Sequence, residues 1–307
     1  MFDMKKSVYQ VLLYYKYVLV PEPEKARAEQ QELCLNCNVK GRIIVAEEGI
    51  NGTIEGLVSD TEKYIKAMEK IPYFKGIIYK RSIGTGNAFP KLSVKCRPEV
   101  VTTKIKNLNP IRVTGKYLSA EELHQWFKEE KEFYIVDMRN DYEYTSGYFE
   151  NFIPSGIHNF YDLPDVLPRL AHLKNKTVVT VCTGGIRCEK ASGFLVTNGF
   201  KDVYQLKDGI QTYMEKYPNR HFKGKLYVFD GRMTIGFNTN SPEHEIVGSC
   251  KSCGIACDAY VNCEYNMCHY HYICCVQCRD KETGLAFCKK ECKQNYFQYQ
   301  HVRRESI

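Results

Sequence analysis

No stretch of this 307-residue chain approaches the roughly 20 consecutive apolar residues that a membrane-spanning helix requires. The opening segment Met1-Phe2-Asp3-Met4-Lys5-Lys6 lacks the apolar core of a signal peptide. Together these absences predict a cytoplasmic protein with no membrane partner. Internal repeats and low-complexity tracts are also missing, which argues against solenoids and disordered scaffolds. There is a single tryptophan, Trp126, and both it and His158 are expected to serve packing. No glycine-rich dinucleotide fingerprint and no two-histidine, one-carboxylate pattern is present, so no flavin, haem or nicotinamide site is expected. Acidic residues are scarce in one region: between Lys70 and Ala120 the only one is Glu99.

What fills that region is positive charge. Lys75, Lys80, Arg81, Lys91, Lys95 and Arg97 are among its cations, with Tyr73, Phe74, Tyr79 and Phe89 interleaved. Cations that neutralise phosphates beside rings on which bases stack are the footprint of RNA binding. Lys75, Lys80, Arg81 and Lys91 are the candidate contacts. The plain alternative is a solvated basic face whose aromatic residues point into a core. The formal net charge of +7 suits a polyanion partner without requiring one.

The most informative segment is Cys182-Thr183-Gly184-Gly185-Ile186-Arg187-Cys188. It follows Thr177-Val178-Val179-Thr180-Val181, a β-branched apolar run that predicts a buried strand. A helix is expected from Glu189 to Thr197. A cysteine between strand and helix, followed by two glycines and an arginine, meets backbone N–H groups, a helix N-terminus and a guanidinium. All three favour the thiolate, the nucleophilic form. A buried structural cysteine at an ordinary turn is the alternative, and Gly184, Gly185 and Arg187 at these offsets argue against it.

Upstream, the order of elements predicts β-α-β-β-α-β, a ferredoxin-like α+β domain. Its parts are a strand over residues 8–18, a helix over 21–36, a strand over 41–46 and a Gly49-Ile50-Asn51-Gly52 turn. A helix capped by Asp60 and strands near 77–82 and 91–96 complete it. Residues 101–118 read as a linker, and Ser119-Ala120-Glu121-Glu122 as a capping box opening the next helix.

Ten of the fifteen cysteines lie between Cys250 and Cys292. With no export signal, thiols are expected to serve metals or catalysis rather than disulfides. Cys250 and Cys253, Cys263 and Cys268, Cys275 and Cys278, and Cys288 and Cys292 are close pairs. Short spacings let two thiolates of one turn reach the same ion, so eight cysteines suit two structural zinc ions. One arrangement is cross-braced, with the first and third pairs on one ion and the second and fourth on the other. Cys257 and Cys274 are then spare, and His269 or His271 is available to replace a thiolate. A disulfide framework and an iron–sulfur cluster are the alternatives to zinc.

The Cys182–Arg187 loop resembles the active-site loop of rhodanese domains. Phe133-Tyr134-Ile135-Val136-Asp137-Met138-Arg139 is similar to their strand ending in Asp-x-Arg, with Glu143 and Gly147 at the family's offsets. Ile153-Pro154-Ser155-Gly156-Ile157-His158-Asn159 is similar to their Gly-Ala-x-Asn segment. Asp208-Gly209 stands where the family carries Gly-Gly. The resemblance implies an α/β domain on a central parallel sheet, in which Asp137 and Arg139 shape the loop. The six-residue loop is that of sulfurtransferases, one residue shorter than in the related phosphatases.

The chain as a whole resembles the bacterial oxygen-dependent tRNA uridine hydroxylases. The resemblance rests on Gly41-Arg42-Ile43-Ile44-Val45-Ala46-Glu47-Glu48-Gly49-Ile50-Asn51-Gly52-Thr53, on the Cys182 loop with Glu189-Lys190-Ala191, on Val228-Phe229-Asp230-Gly231-Arg232 and on the tail with Tyr260-Val261-Asn262-Cys263. It implies a ferredoxin-like domain over residues 1–100, the linker 101–118, a rhodanese domain over 119–222 and a cysteine-rich region over 223–307. It further implies hydroxylation of the wobble uridine of tRNA with molecular oxygen as co-substrate, and no stable protein partner. The essential cysteine maps onto Cys182. Two mechanisms stay open: the thiolate adds to carbon 6 of uracil, or Cys182 carries the reactive atom as a persulfide or sulfenic acid that Cys188 resolves. Arg187 and the loop amides would stabilise the developing anion in both. Arg232 belongs to a tight turn, or faces the active site or RNA. A sulfurtransferase passing sulfane sulfur from Cys182 is the second functional reading. A non-catalytic RNA-binding protein is the third.

Overall fold

The computed structural model describes residues 8–305. They divide into two compact units. The first comprises the chain up to Asn140, Asn151–Lys216 and Phe229–Arg232; the second comprises Asp141–Glu150, Tyr217–Val228 and the chain from Met233 on.

The first unit opens with β1 (Tyr9–Tyr17), α1 (Pro23–Asn36), β2 (Lys40–Ala46), β3 (Gly49–Leu57), α2 (Val58–Met68), β4 (Tyr79–Ile83) and β5 (Leu92–Cys96). Their sheet runs β4-β1-β3-β2-β5. The four strands β4-β1-β3-β2 are antiparallel in ferredoxin-like order, and β5 adds parallel to β2. Two local expectations are revised. Gly49 to Gly52 is strand, not turn, and pairs with β1 and β2 over its whole length. Asp60 lies inside the first turn of α2, whose N-cap is Leu57.

One face of this sheet carries the core. Leu12, Tyr14, Ile43, Val45, Ile50 and Ile54 pack on Cys34 of α1 and on Tyr64 and Met68 of α2. Tyr14 is accommodated because Gly52 opposite it has no side chain; a Cβ there would lie 2.4 Å from the Tyr14 ring. Its hydroxyl meets that of Tyr64, which donates to Gln30 at 2.7 Å, so both of these buried hydroxyls are paired.

The second sheet is built from β6 (Lys116–Leu118), β7 (Tyr134–Asp137), β9 (Ile153–Pro154), β10 (Thr177–Val181) and β11 (Asp202–Leu206). The strand β8 (Gly147–Phe149) falls between β7 and β9 in sequence but belongs to the second unit. The sheet order is β6-β11-β10-β7-β9, parallel throughout. Helices α3 (Ala120–Lys128), α4 (Val166–Leu170), α5 (Ile186–Thr197) and α6 (Gly209–Lys216) accompany it. The capping box forms as expected: Glu122 N–H donates to Ser119 Oγ, and Ser119 N–H donates to the Glu122 carboxylate. Residues 116–118, expected in the linker, are the edge strand of this sheet. Trp126 packs against Phe133 and Tyr204, whereas His158 is exposed rather than in the core.

The second unit contains β8, β12 (Phe222–Gly224), β13 (Leu226–Tyr227), β14 (Thr234–Ile235), β15 (Tyr260–Asn262), β16 (His271–Ile273) and α7 (Lys290–Glu305). It pairs β8 with β12, β13 with β14 and β15 with β16. Residues 141–150 and 217–222, expected in the rhodanese span, thus cluster with the cysteine-rich region.

Candidate active site

Strand β10 is flanked on both sides by parallel strands, which places Cys182 at its carboxyl end, the edge where open α/β sheets bind ligands. Helix α5 starts at Ile186, three residues earlier than expected, so the loop is tighter than its composition suggests. Gly185 takes φ 99°, a left-handed conformation that glycine adopts without steric cost, and its N–H donates to Cys182 Sγ at 3.2 Å. The chain after β11 closes over the same loop, with Ile210 N–H bonded to Cys182 O and Gln211 N–H to Thr183 O. Gly209 makes this approach possible, since a Cβ there would lie 2.6 Å from Gly184 C.

Cys182 and Cys188 are both completely buried and hydrogen-bonded to each other. Burial pushes the Cys182 thiol up. The Cys188 thiol, the Arg187 guanidinium and the backbone N–H groups of Cys188 and Arg187 outweigh it and bring Cys182 down to about 6. Cys188 moves the other way: burial raises it, and the adjoining Cys182 raises it further. The loop therefore holds a thiolate beside a thiol. Asp137 and Arg139 form a wholly buried ion pair at 2.6 Å, in keeping with a structural role.

The roof over the loop comes from the first sheet. The face of that sheet not covered by α1 and α2 presents Leu13 and Tyr15 of β1, Thr53 and Asn51 of β3, and Arg42 and Ile44 of β2. These are cross-strand neighbours, Leu13 opposite Thr53 and Tyr15 opposite Asn51, with Thr53 and Asn51 in turn opposite Arg42 and Ile44. With Thr183, Gly184, Ile186 and Arg187 they enclose a mainly apolar pocket of about 330 Å³, to which Phe89 and Phe229 add aromatic walls. Arg42 lies 6.0 Å from the Phe89 ring and Arg187 lies 5.6 Å from the Phe229 ring. Contact is close enough that a Cβ on Gly184 would fall 2.8 Å from Leu13.

Two buried polar groups of α5 join the sheet to the loop. Glu189 accepts from Tyr15, Tyr117, Thr114 and Gln205 at 3.0–3.2 Å. Lys190, 1 % exposed, contacts Glu48 at 2.8 Å, Glu99 at 2.7 Å and the Val101 carbonyl at 3.1 Å. The task of the Glu-Lys pair after the loop was not legible in the sequence, because all its side-chain partners but Gln205 lie about 70 to 175 positions away in chain order. Arg42, Asn51, Phe89 and Phe229 were likewise missed as lining residues. The one signal that could have found three of them is that Arg42, Asn51 and Phe229 lie within quoted motifs.

The expected RNA contacts separate. Lys75 and Lys91 are exposed. Lys80 is not available to a phosphate: its side chain is 4 % exposed, pairs with Asp208 at 3.4 Å and lies over the Tyr15 ring at 4.9 Å. Register explains this, because Lys80 sits opposite Leu13 on the pocket-facing side of the sheet. Arg81, on the other side, is bound to Glu62 of α2. Arg232 is tied to Asp230 at 2.6 Å and donates to Ser82 Oγ and Ile83 O, which makes it an anchor for its turn rather than a pocket residue.

In the second unit the tail cysteines gather into two groups of four. Cys250, Cys253, Cys275 and Cys278 form one, and Cys263, Cys268, Cys288 and Cys292 the other, with the sulfurs of each group within 4.8 Å of one another. This is the cross-braced pairing. Sulfurs around a tetrahedral zinc with bonds of about 2.3 Å stand roughly 3.8 Å apart. The separations Cys253–Cys275 of 3.7 Å, Cys268–Cys288 of 3.4 Å and Cys288–Cys292 of 3.6 Å fit such an ion. Each group could hold one metal. Neither histidine joins them; His271 bonds to the Tyr227 hydroxyl at 2.7 Å.

Residues 9–100 match the family described as UPF0176 acylphosphatase like domain, residues 119–216 the Rhodanese-like domain and residues 223–293 the Rhodanase C-terminal family. A protein of Cytophaga hutchinsonii named tRNA uridine(34) hydroxylase is 40 % identical over 285 residues, covering 93 % of this chain and 90 % of its own length. One of Bacillus cereus with the same name is 42 % identical over 304 residues, covering 97 % and 94 %. A solved rhodanese-like domain protein of Staphylococcus aureus is 32 % identical over 32 % of this chain and 90 % of its own, with a TM-score of 0.27.

Proposed function

The chain belongs to the tRNA uridine(34) hydroxylase family, and from that premise we propose that it places a hydroxyl group on carbon 5 of the wobble uridine of tRNA, with Cys182 as the reacting group. The observation that carries this reading is a depressed thiol beneath the loop of an apolar pocket with arginine and aromatic walls. Its volume lies within the roughly 300–1,000 Å³ of small-ligand sites. Apolar walls suit the faces of a pyrimidine, and Asn51 and Thr53 offer hydrogen bonds to its polar edge. Arg42 and Arg187 offer positive charge to an anion at the pocket.

In this reading the Cys182 thiolate adds to carbon 6 of the ring, and carbon 5 becomes enolate-like and reactive towards molecular oxygen, the co-substrate. Arg187 stabilises the charge that develops. Lys75 and Lys91 contribute to tRNA binding on the exposed part of the basic stretch. The two cysteine groups each hold a structural zinc ion in the second unit, and the protein works in the cytoplasm, where its substrate is.

Nucleoside mass spectrometry of bulk tRNA tests the assignment, in a host lacking its own wobble-uridine hydroxylation and expressing this protein or Cys182→Ser. 5-Hydroxyuridine or its derivatives should appear with the parent chain alone. Altered thiolated nucleosides without hydroxylated uridine would replace hydroxylation by sulfur transfer from a Cys182 persulfide.

A further inference from the structure

Hydroxylation takes one atom of dioxygen. The other must leave as water, which requires two electrons and two protons. We propose that Cys182 and Cys188 are the reductant of this reaction, cycling from a dithiol to a disulfide; the proposal rests on the hydroxylase reading. Two thiols supply two electrons and two protons on forming one S–S bond, so the net change balances: uridine, dioxygen and two thiols give 5-hydroxyuridine, water and one disulfide.

The loop is built for this pairing. Cys188 lies in the first turn of α5, with its N–H bonded at 3.0 Å to the carbonyl of Gly185, whose own N–H donates to Cys182 Sγ at 3.2 Å. The two thiols are hydrogen-bonded to each other, and Thr180 of β10 contacts Cys188 from the strand side. Neither sulfur reaches solvent. A buried helix-start cysteine serving packing alone has no need of a second thiol in contact with it.

The order of events follows from the two protonation states. The Cys182 thiolate bonds to carbon 6, and the electron pair displaced onto carbon 5 bonds to dioxygen, which after protonation is a carbon-5 hydroperoxide. With its sulfur now bonded to carbon, Cys182 no longer carries the charge that raises Cys188, and Cys188 loses its proton more readily. Cys188 sulfur attacks the outer oxygen: the O–O bond breaks, carbon 5 keeps a hydroxyl and Cys188 becomes a sulfenic acid. Loss of the carbon-5 proton expels Cys182 as thiolate and restores the ring double bond. Cys182 then displaces hydroxide from Cys188, forming the disulfide and, with the released proton, water. An external thiol returns the pair to its starting state.

A single-turnover experiment on the full-length protein tests this. The enzyme is reduced with dithiothreitol, freed of it anaerobically, mixed with excess tRNA lacking wobble hydroxylation, and exposed to air-saturated buffer. Product should stop near one 5-hydroxyuridine per chain, peptide mass spectrometry should find a Cys182–Cys188 disulfide, and added dithiothreitol should restart turnover. Repeated turnover without added thiol, or arrest with both cysteines still reduced, would overturn the proposal while leaving the hydroxylase reading intact. Cys188→Ser should make less than a tenth of the wild-type product in the first turnover while keeping the wild-type thermal unfolding midpoint; wild-type yield in that variant would also overturn it. No 5-hydroxyuridine from wild-type enzyme even with dithiothreitol would remove the hydroxylase reading and the proposal together.

Discussion

Two regions of this molecule use the same side chain for opposite ends. In the rhodanese loop, Cys182 is surrounded by donors: an amide of Gly185, a neighbouring thiol and a guanidinium, all of which stabilise one thiolate. In the tail, eight cysteines are surrounded chiefly by one another, in two groups of four. Four thiolates in contact repel unless a cation shares them, so each tail group could hold a metal ion, whereas the loop favours a single thiolate. Reactivity is therefore decided by what faces the sulfur, not by the presence of cysteine.

Exchanging one cysteine in each region should dissociate the two roles most sharply. Cys182→Ser is expected to lower 5-hydroxyuridine formation by about a hundredfold or more, as loss of a nucleophile does, with metal content and thermal unfolding unchanged. Cys275→Ser should reduce zinc from two ions per chain to one by elemental analysis and make the second unit protease-sensitive, because binding of a structural zinc is itself folding free energy. Preserved zinc in the tail variant, or lost zinc in the loop variant, would erase the distinction.

A smaller loss is expected where loop and sheet are joined. Lys190→Met leaves the half-buried Glu48 and Glu99 without their shared cation and should cost about 2–3 kcal/mol in urea unfolding, below the cost of stranding fully buried charges because water still reaches both carboxylates. Unchanged stability would show that these contacts are not what holds α5 to the first sheet.

The pH dependence follows from the lowered thiol. A group titrating near 6 is protonated below that pH and a thiolate above it, so the ultraviolet thiolate absorbance lost in Cys182→Ser should rise between pH 5 and 7 and then level off. Arg187→Met removes a cation that lowers the thiol and should move the midpoint up by about one unit, a tenfold loss of thiolate at fixed low pH. A midpoint near the ordinary cysteine value in wild-type protein would rule out loop activation. The smallest effect belongs to the surface: Lys75→Gln with Lys91→Gln should flatten the log–log salt dependence of tRNA binding by about two units at most. An unaltered slope would take that stretch out of the interface.

Much of the loop was legible because its determinants are local. A β-branched strand, two glycines and an arginine within eleven positions define the turn that aims amides at a sulfur. The four close cysteine pairs were legible for the same reason; which two pairs meet was not, because Cys253 and Cys275 stand 22 positions apart and Cys268 and Cys288 20. Lys80 shows where local reading stops. Its alternation with Tyr79 and Arg81 identified a strand, but nothing near it in sequence says that its face of the sheet is covered by residues more than a hundred positions later. Glu189 and Lys190 stood in full view as motif, while their partners came from other elements.

By itself, then, the order of residues determined most of the elements, the tight loop that holds Cys182 and the close pairs of tail cysteines, all of which depend on contacts within a few turns of chain. Only the tertiary structure decided which face of the first sheet meets the loop, and hence that Arg42, Phe89 and Phe229 line the pocket while Lys80 is buried beneath it. Strand alternation sorts side chains into two faces but does not say what covers either one. That is settled by packing between segments far apart in sequence.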